Sequence, residues 1–382
     1  MKMNLEKEKK LRQELRKFAD HELLPQAASF EQSGNFPTAQ FLQMGDRGYL
    51  DLVFYNHREP ASYNTRESMI ILEETARGMP SLALSISPHV QCMNLIALYG
   101  AESLKKRVVP DCLKGKQLLG FALSESTGGS DALGVDTVAA REGDGWILNG
   151  EKCWITNISA ASGYVVVAKS ATSGRSRDVS LFYVDAETPG VETERMRLTG
   201  MYNSPTGTLR LRNCRVSNDC LIGKENDAYP LIKVLLNEGR LDMSALAVGI
   251  AQGAMECSVS FTSRAGRYGR TLASYQGISF PVARMYEKVF VTRSTLYRVA
   301  ELFEARERTT MEVAALKLFA SEMCCEVCRN ALQVHGARGL RQYSDVERYF
   351  RDAQMLTIGE GSSEVCQIVI SGKLYHAEPG SY

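Results

Sequence analysis

Glu360 stands between two glycines in Thr357-Ile358-Gly359-Glu360-Gly361-Ser362-Ser363-Glu364, just ahead of a helical segment. Bare neighbours let backbone approach a ligand and leave the carboxylate unshielded, and a buried cleft would raise its pKa towards that of a usable general base. Ser362 or Ser363 can cap the helix that follows, and Glu364 suits its first turn. The same run also reads as a glycine-rich turn with an exposed Glu. A second constellation fills residues 121–157, which open with FALSESTGGSD and close with GWILNGEKCWITN. Main-chain N–H groups and the hydroxyl of Gly128-Gly129-Ser130 can cradle a pyrophosphate, although most such runs are plain turns. The indole of Trp154 and the hydroxyl of Thr156 can stack on and hydrogen-bond a flat ring, while a core Trp at the end of a hairpin is the commoner case. There is no GxGxxG and no GxxxxGK[ST], so neither a Rossmann dinucleotide site nor a P-loop is supported.

Other reactive side chains read as structural. Cys324, Cys325 and Cys328 sit within an apolar helical stripe without a second CxxC or a His pair, so buried small hydrophobes are expected there and no metal site. His335 lacks a paired nucleophile. Ten cysteines behind a charged, helical N-terminal stretch read as reduced thiols in a cytoplasmic protein with no secretory signal. No run approaches membrane-spanning length on this reading. Lys+Arg 45 against Asp+Glu 44 gives no field for nucleic acid or a membrane.

The elements that must position these residues change character twice. Residues 5–114 carry helical periodicity broken at Pro25, Pro60 and Pro80, which predicts several short helices. From Leu118 the chain turns to short β-rich runs separated by Gly, Asn, Ser and Pro, with Asn149-Gly150 as a hairpin signal. Helical periodicity returns at Tyr229, with one stripe of Met285, Val289, Leu296, Ala300 and Phe303 and another of Val313, Leu316, Phe319, Ala320, Met323 and Val327. The expected class is α+β: an N-terminal helical domain (1–116), a middle β-barrel or sandwich domain (117–226) and a C-terminal four-helix bundle (227–382).

Taken in this order, the motifs resemble the acyl-CoA dehydrogenase family over nearly the whole chain. FALSESTGGSD resembles its flavin and substrate loop and NGEKCWITN its hairpin tip, while LQVHGARGL, VERYFRDA and IGEGSSEV resemble its C-terminal signature. The resemblance implies a helical, β, helical architecture that binds FAD without a Rossmann fold. It implies that Leu123 and Ser124 contact the flavin ring, Gly129 and Ser130 the pyrophosphate, and Trp154 and Thr156 the ring face and its N5 side. Gln333 and Gly336 of a neighbouring subunit would meet the adenosine end, with Ser362 and Glu364 also near FAD. Glu360 matches the family's usual base, Glu238 is a second candidate, and Gly359, Gly361 and Arg240 would line the substrate. The implied reaction is α,β-dehydrogenation of a short or branched acyl thioester: Glu360 takes the α-proton, the β-hydrogen leaves as hydride to flavin N5, and the carbonyl is polarised by the Glu360 N–H and a ribityl hydroxyl. An electron-transferring flavoprotein or oxygen would accept the electrons, and a homodimer or homotetramer would complete the FAD sites.

Several departures from the family pattern bear on these expectations. Glu125-Ser126-Thr127 replaces a usual Glu-Pro-Gly, so the loop could differ in stiffness. The usual flavin-contacting Arg of the RxxFG motif falls on Ala265, leaving Arg264 or Arg267, beside Tyr268-Gly269, as substitutes. Gly359 replaces a frequent aromatic and should widen the acyl pocket, and the position that carries the base in some relatives matches Gly239. Residues 53–62 lack a Pro-Glu-Tyr-Gly-Gly-like loop, and Tyr202 replaces a frequent Arg ahead of Ser204. Both changes lie where the thioester's carrier would be met, which keeps open an alternative: oxidation of an acyl or aminoacyl group tethered to a carrier protein in place of acyl-CoA.

Overall fold

Helical and β segments alternate as the periodicities require. In a computed structural model, the described residues are 2–53, 65–131, 134–170, 178–264, 266–267, 269–305 and 309–376. The N-terminal third comprises α1 (Lys2–Phe18), a π turn over Ala19–Leu23, α2 (Leu24–Ser33), α3 (Thr38–Asp46), α4 (Tyr49–Leu52), α5 (Thr65–Gly78), α6 (Pro80–Tyr99) and α7 (Glu102–Leu113). Pro80 begins α6, where its fixed φ suits a helix and no N–H is needed. By length and mean hydropathy (1.2) α6 could cross a bilayer, contrary to the expectation that no run approaches that length. Most of it, 89%, is buried inside the protein, which accounts for its apolar composition. Pro60 and most of residues 53–62 lie outside the described residues.

The middle third holds β1 (Leu119–Ala122), β2 (Val138–Glu142), β3 (Gly145–Thr156), β4 (Gly163–Ser170), β5 (Val179–Asp185), β6 (Val191–Arg195), β7 (Thr206–Ser217) and β8 (Leu221–Ile222). They form one mixed sheet of order β6-β7-β3-β2-β4-β5-β8, with β1 paired to β4. β1 and β2 pair with β4 in parallel, and the other ladders of the sheet are antiparallel. One face packs Trp146 edge-on to Phe182 at 5.1 Å, with the indole N–H donating to Asn218 at 3.3 Å. Truncating such a buried Trp costs about 3–5 kcal/mol.

Asn149-Gly150 does not make the expected hairpin turn. β3 runs straight through it with a register shift against β7, and the chain reverses instead between Glu142 and Gly145. Asn149 Oδ1 accepts from the Asn213 N–H at 2.8 Å, and a Cβ on Gly150 would come within 2.4 Å of Thr137 Oγ1. The glycine therefore serves a bulge and a close approach, not a turn.

After α8 (Tyr229–Arg264), a small ribbon of β9 (Gly266–Arg267) and β10 (Arg270–Thr271) leads into α9 (Gln276–Glu304), α10 (Thr310–His335), α11 (Asp345–Met355) and α12 (Ser363–His376). The core stripes of α9 and α10 pack as expected at Met285, Val289, Leu296, Val313 and Leu316. Phe319 departs from them: it is 51% exposed, on the outer face of α10. Cys324 and Cys328 are buried, and no metal-binding group occurs among the described residues.

α8 is the central element, packing on α5, α6, α9, α10 and α11. α6 in turn joins it to the sheet. Asn157, at the end of β3, donates to the carbonyls of Ser85 and Leu119 at 2.9 and 2.8 Å, and the Leu119 N–H donates to His89 Nδ1 at 3.2 Å. Burial pushes His89 down to about 4, so it stays neutral and can accept.

Candidate active site

Glu360 occupies a turn between α11 and α12 with φ of +54°, a left-handed conformation that a non-glycine residue adopts only when its surroundings hold it. The holding contacts are specific. Buried Lys317 of α10 donates to the Gly361 carbonyl at 2.6 Å, and the Ser363 N–H donates back to the Thr357 carbonyl at 3.0 Å. Ser362 caps α12, its hydroxyl accepting from the Val365 N–H at 3.4 Å. Glu364 projects outward from the first turn of α12, its carboxyl held below its ordinary range by the Ser362 hydroxyl.

The half-buried Glu360 carboxyl is pushed up to about 7 by desolvation, opposed by Arg240 and Lys317. A base poised near neutrality is what proton abstraction from carbon requires. Arg240 is buried on α8, donates to Asn237 at 2.8 Å and lies against the Gly361 turn, where a Cβ would meet its guanidinium at 3.5 Å. The expected substrate residue Arg240 thus stands as a charge beside the base. Its neighbour Gly239 leaves the space into which Glu360 reaches: a Cβ there would lie 2.3 Å from Glu360 Oε2. A base carried at position 239 and one carried at 360 would therefore occupy the same spot, and this chain fills it from 360.

Gly359 does not widen a pocket in the expected way. A Cβ on it would meet Met355 Sδ at 2.8 Å, so the thioether occupies the room left by the missing side chain. Glu238, the alternative base, lies one residue before Gly239 and faces Asp242 across one helical turn. Asp242 was not singled out from the sequence. Its carboxyl, buried and surrounded by Glu238 and Glu360, is raised to about 8 even though Ser87 donates to it at 2.6 Å.

The second wall comes from the sheet. At Trp154 β3 has φ of +63° and a register shift against β7, and the indole is 60% exposed. Such strain in a bulky residue turns the ring out of the ladder as an open platform. Leu123 and Ser124 lie beside it, since the Ser124 carbonyl accepts from the Cys153 N–H at 2.9 Å and the Leu123 carbonyl accepts from Lys152 Nζ at 3.0 Å. Thr156 ends the strand, half-buried, opposite Thr206.

Lys152 and Glu125 form an ion pair of 2.7 Å that sequence reading missed. Glu125 also accepts from the N–H groups of Asp136 and Thr137 at 2.6 and 2.9 Å and from the Thr137 hydroxyl at 2.7 Å. Burial pushes Lys152 down to about 8 against the pull of Glu125; burial also acts to raise Glu125, but Lys152 and Thr137 hold it below its ordinary value. The loop with Gly129 and Ser130 is thus fastened at both ends by one carboxylate, which supplies stiffness that Ser126-Thr127 cannot. Gly129 and Ser130 themselves are exposed, and nothing lies within 4 Å of a Cβ on Gly129, so the main chain is open to a ligand.

A third group sits apart. Arg264 ends α8 and lines a cavity of about 680 Å³ together with His335 and Arg338. His335 stacks on Phe261 at 4.5 Å, which fits the structural role expected of it. Gln333 and Gly336 are exposed at the end of α10, Gly336 with φ of +57°. Among the described residues, the lining of that cavity does not include Trp154. Ala265, Tyr268 and the side chain of Arg267 lie outside the described residues. Tyr202 packs under the Arg351 guanidinium at 4.6 Å, which ties its loop to α11.

The donors and open faces fit a flavin nucleotide in kind: on the sheet, a strained, exposed indole and a fastened loop with bare main chain, and on the helical part a carboxylate near neutrality. Comparison with known proteins bears on this directly. The acyl-CoA dehydrogenase N-terminal, middle and C-terminal domain models match residues 5–116, 120–214 and 229–374. A probable acyl-CoA dehydrogenase of Bacillus subtilis (strain 168) is 33% identical over 98% of this chain and 100% of its own length. The mitochondrial short-chain specific acyl-CoA dehydrogenase of Rattus norvegicus is 34% identical over 95% of this chain and 89% of its own. The butyryl-CoA dehydrogenase structure from Megasphaera elsdenii superposes with a TM-score of 0.91 at 26% identity, covering 97% of this chain and 98% of that one. With the architecture, the turn that carries Glu360 and all three domain models in agreement, the chain belongs to the acyl-CoA dehydrogenase family, FAD-dependent oxidoreductases acting on CH–CH bonds.

Proposed function

We propose that this protein catalyses FAD-dependent α,β-dehydrogenation of a short acyl thioester, with Glu360 as the base. The observation that carries the reading is a carboxylate held at positive φ, raised to about 7 and backed by Arg240 and Lys317. Leu123, Ser124, Trp154 and Thr156 would hold the ring system, and Gly129 and Ser130 the pyrophosphate. Arg264, Arg267, Gln333 and Gly336 would approach the adenosine end from a second subunit, with Ser362 and Glu364 nearby. When bound, FAD supplies a hydride acceptor for the β-hydrogen.

The chain's own residues do the rest. Glu360 removes the α-proton as its main-chain N–H donates to the thioester carbonyl, which spreads the developing charge onto oxygen. Lys317 and Arg240 fix the turn so that the carboxylate meets the substrate without rearrangement. Gly359 and Gly361 keep main chain close to the acyl group. Electrons then leave to an electron-transferring flavoprotein or to oxygen, and the enzyme assembles as a homodimer or homotetramer.

Purified protein is expected to be yellow, and anaerobic addition of butyryl thioester, carried on CoA or on a phosphopantetheinyl carrier protein, should bleach the flavin absorbance. Bleaching with the carrier-protein thioester alone would select the tethered substrate over acyl-CoA. A colourless protein that gains no FAD on reconstitution would overturn the reading.

A further inference from the structure

The connection between β6 and β7, residues 196–205, turns inward, and Gly200, Met201, Asn203 and Ser204 within it are buried. A buried loop must find partners for its main-chain groups away from water. α11 supplies them here. Asp352, fully buried, accepts from the Met201 N–H at 2.6 Å, and Arg351 donates to the Thr199 carbonyl at 3.3 Å while also donating to Glu31 of α2 at 2.8 Å. The two main chains touch: a Cβ on Gly200 would lie 2.6 Å from the Arg351 carbonyl oxygen. Met201 keeps φ of +56°, a left-handed conformation that a long side chain adopts only under constraint.

Each side of this contact leads to a reacting group. Beyond Asp352, the Leu356 N–H donates to the Ala353 carbonyl at 3.1 Å and the Gly359 N–H to the Met355 carbonyl at 2.9 Å, so α11 runs without a break into the turn that carries Glu360. Beyond Met201, the Ser204 N–H donates back to the Met201 carbonyl at 3.0 Å, and the hydroxyls of Ser204 and Ser85 meet at 2.8 Å. The Ser85 carbonyl accepts from Asn157 at 2.9 Å, and Thr206, at the start of β7, pairs with Thr156. Asp352 therefore stands where the helical part that presents the base is bonded to the loop that borders the tip of β3. A carboxyl is a costly group for this place. Burial and nearby Glu31 push it up, and its second oxygen has no hydrogen-bond partner among the described residues. An apolar residue would spare that cost and lose the bond to Met201.

We propose that Asp352 is a positioning residue of the dehydrogenation: by holding the Met201 N–H it sets the separation between the Glu360 turn and the tip of β3, residues 154–157. The α-proton and the β-hydrogen leave adjacent carbons of one acyl group, so Glu360 must keep its spacing from the residues that hold the ring system. A displacement of about 1 Å between such groups costs about 10²-fold in rate. The inference rests on the dehydrogenase reading above and adds to it a buried residue that acts through Met201.

The test compares Asp352→Ala with Asp352→Asn, whose amide oxygen can still accept from Met201. In single-turnover mixing of the FAD-loaded proteins with butyryl thioester, on CoA and on a phosphopantetheinyl carrier protein, the rate constant of bleaching should fall about 10²-fold in Asp352→Ala and stay near wild type in Asp352→Asn. The amplitude per bound FAD should be kept in both. A purely structural role would lower FAD content and amplitude and leave that rate constant alone. Hydrogen exchange on the FAD-free proteins reads the link without activity: Asp352→Ala should speed exchange in residues 199–204 together with 154–157 and 357–361. Should Asp352→Ala fail to fold, Ser204→Ala cuts the same path from the loop side and should lower the rate constant about tenfold. A wild-type rate constant in Asp352→Ala, or in Ser204→Ala where only that variant folds, would overturn the assignment, as would exchange altered within 199–204 alone. A colourless protein that gains no FAD fails the dehydrogenase reading instead, and exchange on the FAD-free proteins still decides the link.

Discussion

At the scale of single residues, the site depends on a carboxylate whose ionisation is tuned by burial. Because Glu360 is raised to about 7 and must be ionised to accept a proton, kcat/KM should fall about tenfold per unit as pH drops below that value. The pH–rate profile of the half-reaction checks this. Stability should move the other way. Glu360 and Asp242, at about 7 and about 8, keep protons in the folded state that the unfolded chain has already released, so folding loses stability as pH rises from about 4 to 8. Thermal melts of wild type should therefore decline over that interval, and Asp242→Asn should flatten the decline. Gly239→Ala places a methyl 2.3 Å from the Glu360 carboxylate. It should reduce the reductive half-reaction by about 10²-fold, the scale of a mispositioned catalytic group, while FAD content is unchanged.

At the scale of elements, Glu125 ties Asp136 and Thr137 to Lys152 of β3, and so anchors both ends of the segment that carries Gly129 and Ser130. Glu125→Gln would strand a fully buried ammonium, which costs about 3–5 kcal/mol. A chemical-denaturation midpoint should reveal that loss, together with weaker FAD retention on gel filtration. Such pairings explain what could be read in the chain beforehand and what could not. Motifs confined to a few residues, such as Gly359 to Ser362 or Gly128 to Ser130, were legible because their geometry is local. The three-part order was legible because period 2 and period 3.6 are distinct. Asn149-Gly150 misled because the contacts that decide its role, Asn213 and Thr137, belong to other strands. The facing of Ser87 and Gln91 on α6 towards Asp242 on α8 was likewise invisible, since the partners lie far apart in sequence and a polar residue on an apolar helix carries no label for its partner.

At the scale of the whole molecule, Arg264 lines a cavity whose described lining does not include Trp154, and a second subunit is proposed to complete the site. The outer faces of α9 and α10 suit that assembly: Phe280, Tyr286, Phe290 and Phe319 are 60%, 60%, 56% and 51% exposed. Light scattering should give a dimer or tetramer, and Phe290→Asp with Phe319→Asp should lower the assembly state and FAD occupancy together. Phe319, expected in the core from its stripe and exposed on α10, would be part of that contact surface. The claim on which everything else rests is that Glu360 takes the α-proton. Its most direct measurement is rapid mixing of the FAD-loaded protein with butyryl thioester under anaerobic conditions, wild type against Glu360→Gln. Bleaching should slow by about 10²–10⁴-fold in the variant, the usual contribution of a general base, with FAD still bound. Bleaching at the wild-type rate in Glu360→Gln would contradict the assignment and direct the search to Glu238.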